Sequence, residues 1–219
     1  MSQAGDEGRT PARRRPAPSR AGSPAERRAR RAATSDPEVV LGAALRFLEV
    51  RARSVAETRR HLLDAGYDEA LVAGAVERLL GLGILDDVGF ARAWVASRDR
   101  ARPRGERALR DELARKGVSR ETVALVLAER DAPGGDPALG GGGSGAALSP
   151  AHPPDSPATA DERAAAALLE RRRAGLERVS EPRLRRQRAY ALLARNGFDP
   201  DVAARAAERF VRAGDEERT

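Results

Sequence analysis

Side chains that commonly carry catalysis or bind transition metals are scarce in this sequence. The 219 residues include no cysteine and two histidines, His61 and His152. Without cysteine, disulfides and thiolate metal sites are excluded. The two histidines are far apart in the sequence, so the residues for a histidine-based triad or a zinc site are almost absent. We interpret both histidines as surface residues. The sequence therefore predicts neither a metal site nor a cofactor.

Two adjacent carboxylates, Asp86 and Asp87, are a second candidate for chemistry. Paired carboxylates can bind a metal or act as acid and base, but no third carboxylate stands at helical spacing and no base partner is evident. We interpret Asp86 as a helix N-cap and Asp87 as a first-turn charge. Phe90 and Trp94, four residues apart, then face the core. The run is predicted to be a structural motif, made of Leu85, Asp86, Asp87, Phe90, Ala91 and Trp94.

Arginine supplies nearly all of the positive charge. The chain has 40 basic and 33 acidic residues, a net charge of +7, and the segment 1–36 carries +5 of it. This bias has two interpretations: codon composition, or recognition of phosphate and carboxylate groups by the guanidinium fork. Glycine-rich phosphate binding is not indicated, since the run Gly140–Gly143 is not followed by the lysine that a P-loop requires.

The arginines beyond the N-terminal segment concentrate in two stretches, 98–110 and 171–188, where acidic residues partly offset them. Two interpretations stay open: a solvated face with many salt bridges, or a basic ridge that binds an acidic partner or a phosphate backbone. The candidate partner-binding residues are Arg98, Arg102, Arg104, Arg107, Arg110, Arg172, Arg183 and Arg186.

The elements that position these side chains are predicted to be helices. Aromatic residues make up 3% of the chain, so the core must rest on Leu, Val and Ala, which suit close-packed helices better than a sheet. An apolar pattern of helical period repeats around Gly66, Gly117 and Gly197, with a leucine four residues before each glycine. The glycines fit helix C-termini, and Asp68, Ser119 and Asp199 fit the N-caps that follow.

The spacing of these glycines indicates a true repeat. Gly66 and Gly117 are 51 residues apart, and the same spacing separates Gly117 from Gly197 once a 29-residue insertion is set aside. We therefore predict an all-α fold of tandem three-helix, helix-turn-helix-like repeats, elongated, with a disordered N-terminal tail. The predicted boundaries are a disordered Arg/Pro-rich tail over 1–36, repeats over 37–84, 85–131 and 161–213, a flexible Gly/Pro linker over 132–160, and a tail over 214–219.

Helix-turn-helix geometry raises the prospect of DNA binding. A helix that reads the major groove needs Arg, Asn or Gln near its start. The third helix of each repeat instead begins with acidic or apolar residues, Arg120 being an exception, so base readout is not predicted. The arginines of the N-terminal tail could still contact a nucleic-acid backbone weakly, or they serve only for solubility.

The stretch 44–131 closely resembles the RecX family of recombination regulators. The resemblance rests on the G-x-LDD-x-x-FA run from Gly83 to Ala91 and on a second motif made of Arg104, Gly105, Leu109, Glu112, Leu113, Lys116, Gly117 and Val118. It implies tandem three-helix repeats, no catalysis, and binding in the groove of the RecA–DNA filament, which curbs ATP hydrolysis and strand exchange. It also implies a negative role in recombination and the SOS response.

The remaining expectations concern partners and location. No apolar run approaches the ~20 residues needed to cross a bilayer, so we expect a cytoplasmic protein without a membrane contact, and a monomer. The long tail and the 29-residue insertion depart from the family pattern and leave the orientation of the third repeat open. The alternative function is that of a helical protein that binds DNA directly, without RecA.

Overall fold

The computed structural model describes residues 23–132 and 158–216, and the regular secondary structure within these ranges is entirely helical. The predicted all-α fold is therefore confirmed. The first four helices are α1 (Pro24–Ala32), α2 (Pro37–Glu49), α3 (Val55–Ala65) and α4 (Glu69–Gly81). They are followed by α5 (Asp87–Ala101), α6 (Glu106–Arg115), α7 (Arg120–Asp131), α8 (Ala160–Arg171), α9 (Arg173–Glu177), α10 (Pro182–Arg195) and α11 (Pro200–Glu216).

Local sequence signals begin and end these helices, and the predicted cap Asp68 and the predicted turn glycines are among them. Ser54 and Glu57 form a reciprocal capping box at the start of α3, and Asp68 caps α4 by accepting hydrogen bonds from two backbone N–H groups. Gly66, Gly117 and Gly197 all have positive φ, between 77° and 100°, a conformation that side chains with a Cβ rarely adopt. Each glycine therefore ends one helix and turns the chain tightly into the next.

Three separate hydrophobic clusters hold the helices together. The first joins α2–α4, the second α5–α7 and the third α8–α11, and we call these groups unit 1, unit 2 and unit 3. The leucine four residues before each turn glycine is fully buried, and so is the apolar residue directly after it, at 9% exposure or less. These are the residues Leu62, Leu113, Leu193, Tyr67, Val118 and Phe198.

Unit 1 meets unit 2 where the start of α3 packs on the glycine turn after α6. The Ser54 hydroxyl donates to the carbonyl oxygen of Lys116 at 2.5 Å, and the Val55 N–H donates to Oδ1 of Asp87 at 2.9 Å. A Cβ added to Gly117 would lie 2.3 Å from the Ala56 Cβ. Gly117 is thus required twice, for the turn and for the close approach of the neighbouring unit.

Unit 2 meets unit 3 in the same way. The start of α6 packs on the turn after α10, where the Gly105 N–H donates to the carbonyl oxygen of Asn196 at 3.1 Å. The Glu106 N–H donates to both carboxylate oxygens of Asp161 at 3.0 Å. A Cβ on Gly105 would lie 2.2 Å from the carbonyl oxygen of Gly197. Both junctions therefore pair a helix start with a glycine turn and with a carboxylate at the start of the next unit.

Helix α1 corrects the prediction that all of residues 1–36 are disordered. It covers the glycine turn of unit 1, the first unit that the structure describes: the guanidinium groups of Arg28 and Arg31 donate to the carbonyl oxygens of Asp64 and Ala65 at 2.8 and 3.3 Å. These carbonyls lie at the C-terminal end of α3, where cations are favoured. The segment buries no apolar side chain, so hydropathy alone gave no sign of this helix.

Unit 3 extends beyond its predicted boundaries of 161–213 at both ends. Helix α8 ends at Arg171, and the short helix α9 turns Leu176 into the core. Helix α11 continues to Glu216, so the predicted 214–219 tail begins in a helix. Leu85 packs in the core of unit 1 rather than in that of the second repeat. Most of the predicted 132–160 linker, residues 1–22 and His152 lie outside the described residues. In the described part of the chain, no helix has the length and apolar character needed to span a membrane.

Candidate partner-binding surface

Three of the eight candidate arginines form hydrogen bonds or ion pairs with other side chains of the protein. Arg98 donates from Nε to Glu112 Oε2 at 2.6 Å, and its Cζ lies 4.3 Å from the centroid of the Trp94 ring. Arg104 donates from Nη1 to Oδ1 of Asn196 at 2.8 Å, which ties unit 2 to unit 3. Arg110 pairs with Glu106 one turn earlier on α6. The first two arginines therefore stabilise the fold at least as much as they present charge.

The other five candidates are exposed, and no hydrogen-bond or ion-pair partner is recorded for them among the described residues. They are Arg102, Arg107, Arg172, Arg183 and Arg186. Because no internal carboxylate neutralises them, these side chains offer charge to a partner without first breaking a bond in the protein.

The five exposed arginines fall into two groups. Arg102 and Arg172 flank the contact in which the Arg171 guanidinium donates to the Ala101 carbonyl oxygen at 2.6 Å, and Arg107 lies on the first turn of α6 at the same junction. Arg183 and Arg186 lie near the opposite end of α10 from Asn196. With a helical rise of about 1.5 Å per residue, Arg183 is about 20 Å from that residue along α10.

The exposed face of α10 also carries large apolar groups. Arg183, Arg186 and Tyr190 follow each other at helical spacing on one face, and Tyr190 and the neighbouring Leu184 are each 38% exposed. Arginine and tyrosine are enriched at the centres of protein interfaces. The prediction named only the arginines, because exposure of an aromatic residue on one helix face cannot be read from a pattern in which most apolar residues are buried.

A further exposed apolar group lies on the connection between α4 and α5. Leu80, Leu82 and Ile84 are 45%, 63% and 48% exposed and occupy alternate positions around a tight turn that contains Gly83 at φ +67°. The sequence pattern predicted neither a role nor exposure for these three residues. Three neighbouring exposed aliphatic side chains are a feature of interaction surfaces.

The LDD motif lies at the start of α5. Asp86 caps α5 by accepting from the Val88 N–H at 2.9 Å, and the rings of Phe90 and Trp94 lie 6.0 Å apart, with Phe90 and Ala91 buried. Asp87 also has a role that the sequence did not predict: it accepts a hydrogen bond from the Val55 N–H of unit 1. Burial raises the pKa of Asp87, the hydrogen bond from Val55 opposes the rise, and the charge of Asp86 adds to it.

Glu112 belongs to the second family motif, and the sequence predicted no role for it. Its carboxylate accepts from Trp94 Nε1 at 2.8 Å and from Arg98, and Arg104 Nε lies 3.7 Å away. Desolvation works to raise the pKa of Glu112, but these hydrogen bonds and the two guanidinium charges outweigh it and hold the pKa below its ordinary value. The carboxylate therefore stays charged and orders the residues around α5 and α6.

Two further arginines, Arg130 and Arg185, form hydrogen bonds within the protein. The sequence pattern does not distinguish them from exposed arginines. Arg130 donates to Asp99 and, at 2.7 Å, to Asp161 of unit 3. Arg185, which lies within the predicted basic stretch, is 1% exposed and donates to the carbonyl oxygen of Val179 and to Asp215. Among the described residues, no group of three or more side chains could hold a metal ion.

Comparison with known proteins gives matches along most of the chain. The family model for the first three-helix domain of RecX matches residues 41–79, and that for the second three-helix domain matches 86–127. Regulatory protein RecX of Mycobacterium sp. (strain KMS) is 47% identical over 88 residues, 40% of this chain and 48% of that protein. That alignment spans about half the length of the relative.

A longer alignment and two crystal structures extend the similarity. Regulatory protein RecX of Mycobacterium ulcerans (strain Agy99) is 32% identical over 174 residues, 78% of this chain and 85% of that protein. The crystal structure of RecX from Lactobacillus salivarius has a TM-score of 0.60 at 14% identity, covering 80% of this chain and 96% of that one. A second structure, of regulatory protein RecX, has a TM-score of 0.54 at 17% identity, covering 82% of this chain and 70% of that one. At these identities the two structures bear on the fold alone.

Proposed function

The chain belongs to the RecX family, and from this we propose that it binds the filament that RecA forms on DNA and restrains its ATP hydrolysis and strand exchange. We propose that it does so in the cytoplasm and without catalysis of its own, as a negative regulator of recombination and the SOS response.

The observation that carries this proposal is the set of exposed arginines on units 2 and 3. Arg183 and Arg186 stand beside the exposed Tyr190 and Leu184 on α10, while Arg102 and Arg172 present charge at the junction of the two units. A row of helical units with charge at two separate places suits a partner that repeats, because each group can contact a different protomer or a phosphate backbone. Bound in this way, the helices would block subunit addition or the motion tied to ATP turnover.

The test reverses the charge on α10. We expect Arg183→Glu combined with Arg186→Glu to weaken binding to RecA–DNA filaments by at least about tenfold, or about 1.4 kcal/mol, because two exposed cations become anions at a proposed contact. The measurements are filament pull-down and the DNA-dependent ATPase of RecA. The matched control is Arg60→Glu combined with Arg120→Glu, which makes the same change in net charge on exposed arginines of units 1 and 2.

Two results would count against the proposal. One is a purified protein that leaves the RecA ATPase unchanged at stoichiometric ratio. The other is an equal loss in the α10 variant and its control, which would indicate a response to net charge alone. Direct binding to duplex DNA is the competing function, and deletion of residues 1–22 in a gel-shift salt series separates the tail from the folded units. A deletion of 1–36 would also remove α1, which contacts α3.

A further inference from the structure

A pocket on unit 1 combines aromatic rings with positive charge and is not used by the proposed function. It lies between α1, α2 and α3 and has a volume of about 300 Å³. Its lining residues are Arg31, Ala43, Arg46, Phe47, Val50, His61, Ala65 and Tyr67. No carboxylate belongs to this lining, although acidic residues are abundant elsewhere in the chain. The pocket is therefore suited to an anionic ligand that also has an apolar or aromatic part.

The aromatic groups of the pocket form a column with one end open. The rings of Phe47 and His61 are stacked, with centroids 3.8 Å apart and planes 4° from parallel. The guanidinium carbon of Arg53 lies 4.4 Å from the same Phe47 centroid. Two groups at these distances cannot share one face of a ring, so Arg53 and His61 lie on opposite faces of Phe47. His61 is exposed, and its outer face is the free end of the column.

Two arginines line the pocket, and one of them, Arg31, donates to an internal acceptor, the carbonyl oxygen of Ala65 at 3.3 Å. Arg46 on α2 lines the pocket and has no recorded hydrogen bond or ion pair. Arg31 enters from α1, with its guanidinium carbon 5.8 Å from the centroid of the Tyr67 ring. The pocket thus combines aromatic rings and cations in one lining, as proteins that bind single-stranded nucleic acid do for bases and phosphates.

We propose that this pocket binds single-stranded nucleic acid, with one base stacked on the outer face of His61 and the adjacent phosphates held by Arg46 and Arg31. A duplex does not fit this arrangement, because its bases are already stacked on each other and offer no free face. Stacking on a ring depends little on base identity. The pocket therefore acts as a sequence-independent site on unit 1, separate from the arginines of units 2 and 3.

The test compares two substitutions of His61 in the full chain, without RecA present. His61→Leu keeps an apolar cover over Phe47 but removes the flat aromatic face, whereas His61→Phe retains that face, and both lack the imidazole. We expect His61→Leu to bind a labelled oligothymidylate about 5- to 150-fold more weakly than His61→Phe, which corresponds to about 1–3 kcal/mol for one stacked base. Quenching of 2-aminopurine in the oligonucleotide reports the stacking itself and is expected with His61→Phe and not with His61→Leu.

The phosphate contact has its own measurement. Arg46→Ala is expected to reduce the slope of log affinity against log salt concentration by about 0.7, the value for one phosphate on a single strand. The matched control, Arg60→Ala, removes an exposed arginine that does not line the pocket and is expected to leave this slope unchanged.

Equal affinity of the two His61 variants for the oligonucleotide would overturn the proposal. Weakened capture of RecA by His61→Leu, with oligonucleotide binding unchanged, would overturn it in favour of a protein contact at the same pocket. Because the oligonucleotide-binding assay contains no RecA, its result does not depend on whether the chain regulates the filament.

Discussion

Arginines that have similar neighbours in the sequence have different roles in the folded protein. Arg183 and Arg185 are two residues apart in one basic run, yet Arg183 is exposed and Arg185 is 1% exposed, with its guanidinium group bonded to two backbone carbonyls and to Asp215. Arg98 and Arg104 are likewise engaged with Glu112 and Asn196. An arginine without an internal acceptor can bind a partner at no cost to the fold, whereas Arg98 and Arg104 would first lose an internal hydrogen bond.

Asp87 allows a test of a carboxylate that acts between units. Because burial raises its pKa in the folded protein, protonation favours the folded state, so its contribution to stability is greatest below the unfolded pKa of about 3.9 and is lost as pH rises through the folded pKa. At neutral pH the charged form is buried at some cost. We expect Asp87→Asn, whose amide oxygen can accept the Val55 N–H, to change the free energy of unfolding at pH 7 by less than about 0.5 kcal/mol.

The contrasting variant is Asp87→Ala, which leaves the Val55 N–H without its acceptor. We expect a loss of about 1–2 kcal/mol at pH 7 in urea unfolding, the usual range for a partly buried donor left unpaired. The difference in stability between Asp87→Asn and the unmodified protein should shrink as pH falls toward 4, because the aspartate then becomes neutral as well. An equal loss in both variants would show that the hydrogen bond between the units contributes little.

At the scale of helices, the recurring feature is a helix start seated on a glycine turn. The start of α3 packs on Gly117 and that of α6 on Gly197, and in each case a Cβ on a glycine at the contact would come within 2.5 Å of the neighbour. Helix α1 takes the same place over Gly66, where a Cβ would lie 2.6 Å from the Cγ of Arg28. Some of the motif residues that carry the family resemblance, such as Gly105 and Lys116, therefore lie at these junctions.

Gly105→Ala tests the junction between units 2 and 3. Its Cβ would lie 2.2 Å from the carbonyl oxygen of Gly197, so α6 and the turn after α10 must separate, and we expect a loss of about 1–3 kcal/mol in the free energy of unfolding. Hydrogen exchange should quicken at the backbone N–H of residue 105, which donates to Asn196. The matched control is Gly74→Ala within α4, where nothing lies within 4 Å of the new Cβ, and we expect it to be stabilising by about 0.5–1 kcal/mol. Similar stability in the two variants would contradict the close packing at this junction.

At the scale of the molecule, both ends of the row of units differ from its interior. Interior units are joined by an N–H at the first position of the second helix, supplied by Val55 and Glu106. The equivalent position in unit 3 is Pro182, which has no N–H to donate. At the other end, α1 already covers the turn at Gly66. Neither end is therefore able to continue the row with a second copy in the same geometry.

We accordingly expect a monomer in solution at micromolar concentration. Size-exclusion chromatography with light scattering should give a mass near 23.4 kDa, independent of concentration. A dimer that persists on dilution would contradict this expectation and would point to a contact other than the one between interior units.

The sequence by itself determined most helices of the three units, their caps and their repetition. Apolar residues at helical spacing, N-caps such as Asp68 and Ser119, and glycines at helix ends each act over a few residues. Their physics is local backbone geometry and burial. The same local signals were sufficient to recognise the family and the structural role of Asp86, Phe90 and Ala91.

Only the tertiary structure decided which charged side chains are free. Whether Arg104 meets Asn196, whether Asp87 accepts an N–H from another unit, and whether His61 stacks on Phe47 depend on residues that are 14 to 92 positions apart. Helix α1 forms on carbonyl groups at the end of α3, which no hydrophobic pattern records. Hydrogen bonding and charge pairing are directional and short-ranged, so they require the folded arrangement of the units before any surface can be assigned.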